Sequence, residues 1–375
     1  MTSTEIVIGS GMKAGVARED LVAALAVVSR GVSTRTAVQI LSGLQLRAED
    51  GTLHLAATDM EISLRTSVDA RVDGSGVVVV PGRLLAELSR LLPEGEVELE
   101  GGADGGVLRI SCGSASYTLH TYAAEDFPRL PEVEAASLFT LDRNAFLDTI
   151  SRVTRAASRD ESRPVLTGIL VRFDDNALVM AATDSYRLAV KETAVSTGRD
   201  LEALVPARAL AEVQRLAAGT DRLELGVLEN QVVFELGGTT LTTRRIDGQF
   251  PNYKALVPES FESEVVLPRD ELLDVVRRVA VMAQRNAPLR LRFSDGELTV
   301  TARTPDVGEA TESLPAPYTG DPLEIGFNAE FLRDGVDSVE GDELKLKLIS
   351  PLRPAVLQGA DPDFTYLIMP IRLAG

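Results

Sequence analysis

Two aspartates, two histidines and one cysteine are the residues whose types invite a chemical reading. Asp59 and Asp184 close two copies of A-A-T-D, at Ala56–Asp59 and Ala181–Asp184, 125 residues apart. Paired carboxylates can hold a divalent cation for phosphoester hydrolysis, but that chemistry draws on further acids and histidines gathered around the pair. The sequence does not gather them. An acid duplicated at one place in two copies fits a turn better, because Asp side chains accept hydrogen bonds from backbone N–H groups just downstream. His54 lies between Leu53 and Leu55, and His120 follows Leu119 in the same alternation, so both point away from the apolar face of their strands. Cys112 is the single cysteine; it cannot form an internal disulfide and reads as a small buried strand residue. There is no G-x-x-x-x-G-K-[ST] loop, no G-x-G-x-x-G after a strand and no G-x-S-x-G elbow. The expectation is a protein with no catalytic residue, no metal site and no cofactor.

The duplicated aspartate belongs to a larger repeat. An apolar-periodic helix opens at Arg18 (Leu21, Val22, Leu25, Val28), again at Arg143 (Phe146, Leu147, Ile150, Val153) and again at Arg269 (Leu272, Leu273, Val276, Val279), at spacings of 125 and 126. A second helix is marked by P-G-R-L-L-A-E-L at Pro81 and P-A-R-A-L-A-E-V at Pro206, with a third counterpart from Phe327 to Leu332. Hairpin signals at Glu49–Gly51, Asp174–Asn176 and Ser294–Gly296 separate alternating strands. The pattern predicts an α+β fold of three repeated domains, each with two helices and mostly antiparallel sheet. The domains expected are 1–134, 135–261 and 262–375, with residues 1–11 an extension ahead of the first repeat.

Charge refines this picture. The chain of 375 residues has a formal net charge of −18, which excludes a protein that grips nucleic acid by neutralising many phosphates. It also argues against an anionic membrane surface. The six expected helix windows (18–30, 83–92, 143–155, 208–217, 269–285 and 329–338) behave differently. They hold 14 Arg and 11 acids, a sum of +3, against −21 for the remainder. Arginines on helices and acids elsewhere can present one basic face inside an acidic shell. Arg30, Arg90, Arg152, Arg155, Arg208, Arg215, Arg277 and Arg278 are the candidates for that face. With no apolar run long enough to span a bilayer and no signal-peptide pattern, a soluble cytoplasmic protein is expected.

From Met12 onward the chain resembles the β sliding clamp family, the β subunit of bacterial DNA polymerase III. The residues behind the resemblance are R-P-V-L-T-G at Arg163–Gly168, A-T-D-S-Y-R-L-A at Ala182–Ala189, D-G-Q-F-P-N-Y at Asp247–Tyr253 and L-I-M-P-I-R-L at Leu367–Leu373. The resemblance implies a head-to-tail homodimeric ring around double-stranded DNA, bound without sequence preference. It implies Arg35 as a further DNA-facing residue. Tyr117 and Leu119 would meet Val281 and Met282 across the dimer interface. Partners implied are the replicative polymerase catalytic subunit, the clamp loader, and repair and translesion polymerases, all bound through linear peptides.

The peptide groove implied by the family falls on Arg163, Leu166, Thr183, Tyr186, Arg187, Leu188, Pro251, Leu256, Pro354, Leu367, Ile368, Met369, Pro370, Ile371 and Arg372. Its Leu, Ile, Met and Pro side chains would form a pocket with the arginines at its rim. Two departures stand out. Ser185 occupies a position where the family often has Gly, and Ala374–Gly375 extend past the usual terminal Leu.

Overall fold

Leucines and valines one helical turn apart decide where the helices lie. In the computed structural model, which describes residues 11–33, 38–101, 106–130, 138–174, 176–195, 197–283 and 287–373, seven α-helices occur among the described residues. They are α1 Arg18–Val28, α2 Gly82–Leu91, α3 Arg143–Val153, the single turn α4 Pro164–Thr167, α5 Ala207–Leu216, α6 Arg269–Ala280 and α7 Ala329–Ser338. Helices α1, α3 and α6 bury most of the expected stripes: Leu21, Leu25 and Val28; Phe146, Ile150 and Val153; Leu272, Leu273, Val276 and Val279; Val22 and Leu147 are only half-buried. Helix α6 is shorter than its window. Val281 and Met282 donate to Arg278 and Val279 in tighter three-residue bonds, and the Met282 carbonyl accepts the Thr304 hydroxyl at 2.6 Å. A strand that the periodicity did not mark precedes the first helix of every repeat, at Lys13–Ala17, Phe139–Thr140 and Ser263–Pro268.

Among the described residues every strand pairing is antiparallel, in four sheets. The chain divides into two compact units, Met1–Leu141 with Arg215–Arg244, and Asp142–Gln214 with Arg245–Gly375. Three repeats give two units because each unit contains an eight-stranded sheet that runs across a repeat boundary. In the first unit, Thr239–Arg244 pairs with Ile62–Asp69, placing Thr243 opposite Ile62 and Thr240 opposite Arg65. In the second, Arg187–Ala194 pairs with Phe364–Ile368, placing Arg187 opposite Ile368 and Leu188 opposite Leu367.

The two smaller sheets keep open edges among the described residues. The five-stranded sheet of the first unit ends on Ala115–His120, and the four-stranded sheet of the second ends on Gly308–Pro315. Within the second unit α3 lies on Ala177–Thr183 and Arg187–Ala194, α7 on Phe364–Ile368, and α6 beside α7. Gly335 lets α7 approach this closely: a Cβ there would sit 2.5 Å from the Tyr366 ring. A mid-helix Gly costs about 1 kcal/mol in propensity, a cost offset here by the packing it permits.

Candidate functional site

Asp59 and Asp184 build turns. Asp59 Oδ1 accepts from the backbone N–H groups of Glu61 at 3.1 Å and Ile62 at 2.9 Å. Asp184 Oδ1 accepts from those of Tyr186 at 2.9 Å and Arg187 at 3.0 Å. Among the described residues no three His, Cys, Asp or Glu side chains gather as a metal site would require. Cys112 is buried at the end of its strand, and His120 is exposed. His54 is half-buried, and desolvation together with the Arg47 charge lowers its pKa.

The Asp184 turn stands where the second repeat meets the third. Its next residue, Ser185, has φ +82°, in the left-handed region that favours glycine. Arg163, which precedes α4, donates to the Asp184 carbonyl at 3.3 Å and the Ser185 hydroxyl at 3.2 Å, with Asp160 bonding its Nε at 3.0 Å. The Tyr186 carbonyl accepts the Met369 N–H at 2.8 Å. Tyr186 and Met369 are large apolar side chains left 61% and 39% exposed, side by side on this bond.

Beneath them lies a buried cluster of Leu170, Val179, Ala181, Leu188, Tyr253, Val356 and Leu367, edged by Val190, Phe250, Val257 and Phe261. Pro251 and Leu256 belong to the loop that supplies Phe250 and Tyr253, with Leu256 exposed. Leu166 is half-buried, and its carbonyl accepts from Ser158 N–H at 2.8 Å. Half-buried Pro354 leads into Ala355–Gln358, where Val356 pairs with Leu367. After Met369 the chain turns through Pro370, and the Ile371 N–H reaches the Gly326 carbonyl at 2.7 Å, leaving Arg372 exposed. Leu352, 61% exposed beside Pro354, is a further large apolar side chain that the expected set missed.

Three residues of that set lie elsewhere than expected. Arg187 and Ile368 face each other in register, on the side of the sheet opposite Leu188 and Leu367, toward α7. Ile368 is fully buried there. Arg187 is no rim arginine: its side chain is 5% exposed, donating to Asp184 at 3.0 Å and Asp334 at 2.7 Å. Its guanidinium lies 4.2 Å from the Phe331 ring centroid. Burial opposes the Arg187 charge, but Tyr366, Asp334 and Asp184 outweigh it and raise the pKa. Burial also pushes the Tyr366 phenol up. Thr183 is buried as well, its hydroxyl donating to the Arg187 carbonyl at 2.6 Å. Strand alternation signalled the two faces, but nothing local to Arg187 signalled Asp334, Phe331 and Tyr366 in another repeat.

The helix arginines divide in the same way. Arg152 is mostly buried and braces α3 to the end of α7, donating to the Ser338 carbonyl at 2.9 Å, Glu340 at 3.0 Å and Asp148 at 3.0 Å. Arg155 pairs with Asp337, which also accepts from Arg277 at 3.3 Å. Arg278 binds Glu312 with two nitrogens, at 3.0 and 2.7 Å. Arg152, Arg155, Arg277 and Arg278 thus all carry carboxylate partners, because Glu312 and Glu340, from outside the helix windows, join the acids within them. Arg30, Arg90, Arg208 and Arg215 are exposed, and Arg35 lies outside the described residues.

On the open edge strand of the five-stranded sheet, Tyr117 is 41% exposed and Leu119 is buried. Val281 is 73% exposed, and Met282 lies beside the start of the other edge strand, its sulfur 3.8 Å from the Cβ position of Gly308.

Family descriptions match the whole repeat series. Residues 12–131 match the DNA polymerase III beta subunit N-terminal domain, 140–252 its central domain and 254–372 its C-terminal domain. The chain is 37% identical to the beta sliding clamp of Streptomyces coelicolor, covering 97% of this chain and 100% of that one. It is 35% identical to that of Synechococcus elongatus, over 96% and 100%. A Caulobacter crescentus beta sliding clamp structure superposes with a TM-score of 0.90 at 31% identity, over 97% and 100%. A Pseudomonas aeruginosa sliding clamp bound to griselimycin gives 0.87 at 27% identity, over 97% and 100%. With all three repeats matched and relatives aligned end to end, the chain belongs to the DNA polymerase III beta subunit family, the β sliding clamps.

Proposed function

We propose that two copies of this chain close head to tail around duplex DNA and hold a polymerase through the Tyr186–Met369 groove. The pairing rule seen twice within the chain carries the ring. At each internal repeat boundary the last strand of one repeat pairs with the strand that follows the A-T-D turn of another. The two strands with those repeat positions that are paired on one side only among the described residues are Ala115–His120 and Gly308–Pro315. Carried over, the register of Thr243 on Ile62 sets Leu119 opposite Gly308 of a second copy, and Tyr117 opposite Ala310. Tyr117 and Leu119 then meet the surface flanked by Val281 and Met282. Each copy has one edge of each kind, so the association closes only as a ring or a filament.

The DNA-facing set is Arg30, Arg35, Arg90, Arg208 and Arg215, with Arg155, Arg277 and Arg278 partly neutralised by their ion pairs and Arg152 bracing α3 rather than facing DNA. Weak, partly neutralised contacts suit sliding, since each phosphate neutralised steepens the salt dependence and strengthens the grip. The groove takes linear peptides from the replicative polymerase, the clamp loader, and repair and translesion polymerases, anchored on Tyr186, Leu256 and Met369 over the buried cluster. Griselimycin bound to the Pseudomonas aeruginosa relative supports a small-molecule-accessible site on this fold. Domains 1–134, 135–261 and 262–375 follow the repeats, and a cytoplasmic location fits the lone buried Cys112.

The test is Ser116→Cys with Thr311→Cys, loaded onto nicked circular duplex and then mildly oxidised. The expected product is a covalent dimer retained on circles and released on linearisation. A chain that stays at 40.2 kDa in dilute solution, with no cross-link, overturns the ring.

A further inference from the structure

Asp334 lies on α7, one repeat away from the turn that presents Tyr186, and is 7% exposed. Its two carboxylate oxygens serve different partners: Oδ2 accepts from Arg187 Nη1 at 2.7 Å and Oδ1 from Arg333 at 3.2 Å. Arg187 Nε holds Asp184 Oδ2 at 3.0 Å, and Asp184 Oδ1 holds the Tyr186 and Arg187 amides. The Tyr186 carbonyl in turn holds the Met369 amide. An unbroken series of polar contacts therefore runs from an α7 carboxylate to both exposed apolar walls. Phe331, almost one turn earlier on α7, stacks on the Arg187 guanidinium, and the Tyr366 hydroxyl donates to the Phe331 carbonyl at 2.9 Å while accepting from Arg187 Nη1 at 3.4 Å. Burial leaves Arg187 few ways to satisfy its donors, so the guanidinium has one position and the turn follows it.

We propose that Asp334 is a positioning residue for the groove: it touches no ligand, yet through Arg187 and Asp184 it sets the spacing of Tyr186 and Met369. This rests on the groove reading above. Removing the carboxylate leaves Arg187 Nη1 only its longer bond to the Tyr366 hydroxyl, at 3.4 Å, beside the Asp184 bond at Nε, which shifts the turn and loosens the site. Sub-ångström misplacement of a preorganised wall is enough to weaken a ligand.

Calorimetric titration of griselimycin into the full chain tests it, with stoichiometry reporting the folded fraction and Kd the geometry. Asp334→Asn is expected to bind about tenfold more weakly at unchanged stoichiometry, a loss of about 1.4 kcal/mol. Tyr366→Phe, which deletes one hydroxyl, is expected to bind about threefold more weakly, and decides the matter should Asp334→Asn fail to fold. Met369→Ala is expected to weaken binding at least about tenfold, and Asp334→Asn added to it should cost less than it does alone, as coupled residues do. Wild-type affinity in Asp334→Asn and Tyr366→Phe, with Met369→Ala weak, overturns the positioning role and leaves the groove standing. Wild-type affinity in Met369→Ala overturns the groove itself.

Discussion

Arg187 Nη1 donates to Asp334 Oδ2 at 2.7 Å, joining side chains 147 residues apart in a contact shielded from solvent on both partners. Removing one member of such a pair leaves the other charge buried without compensation, which costs about 3–5 kcal/mol. Arg187→Met is expected to lower the unfolding free energy of the full chain in urea by that order. Its double mutant with Asp334→Leu should recover part of the loss, as circular dichroism would report. Additive losses would show that the pair does not act as a unit.

Ser185 sits at φ +82°, where a side chain costs about 1–2 kcal/mol, and its hydroxyl bonds Arg163 at 3.2 Å. Ser185→Gly removes both the strain and the bond, whereas Ser185→Ala removes only the bond. Glycine is expected to exceed alanine by about 1 kcal/mol in denaturant stability. The difference between the two variants isolates the backbone contribution.

Asp337 gathers Arg155, Arg277 and Arg269 at the end of α7. Desolvation raises its pKa, but hydrogen bonding to Arg155 and the charges of the three arginines outweigh this and depress it. A depressed carboxylate contributes stability above its unfolded pKa and loses it as pH falls through the folded value. The thermal midpoint is therefore expected to drop below about pH 4. Asp337→Asn, already lacking the charge, should show a shallower acid limb in a pH series of melts.

Arg152 and Arg215 were equivalent as sequence and are unlike as structure. Arg152→Ala is expected to lower stability by about 2 kcal/mol, since it leaves the Ser338 carbonyl and two carboxylates without a charged donor. Retention on circular DNA should hardly change. Arg215→Ala, at an exposed position, should lower the melt less than Arg152→Ala does and reduce the salt slope of retention by less than about one unit. Measuring both variants by both readouts separates a brace from a DNA contact.

Sequence by itself determined the repeat, the helix stripes, the turn role of Asp59 and Asp184, and the family, because each is written in local spacing. Period-3.6 leucines bury one face of a helix wherever it packs, and an Asp two residues before an amide closes its own turn. The groove was legible as far as alternation reaches, so Leu188 and Leu367 fell on one face together. Tertiary structure alone decided which charges are tied into buried or bridged pairs. Arg187 became a buried tie because α7 brought Asp334, and the helix sum of +3 was rewritten when Glu312 and Glu340 arrived from outside the helices. Ion pairs form between residues far apart in the chain at no cost visible in local sequence, so charge counted along a chain bounds a surface but does not map it.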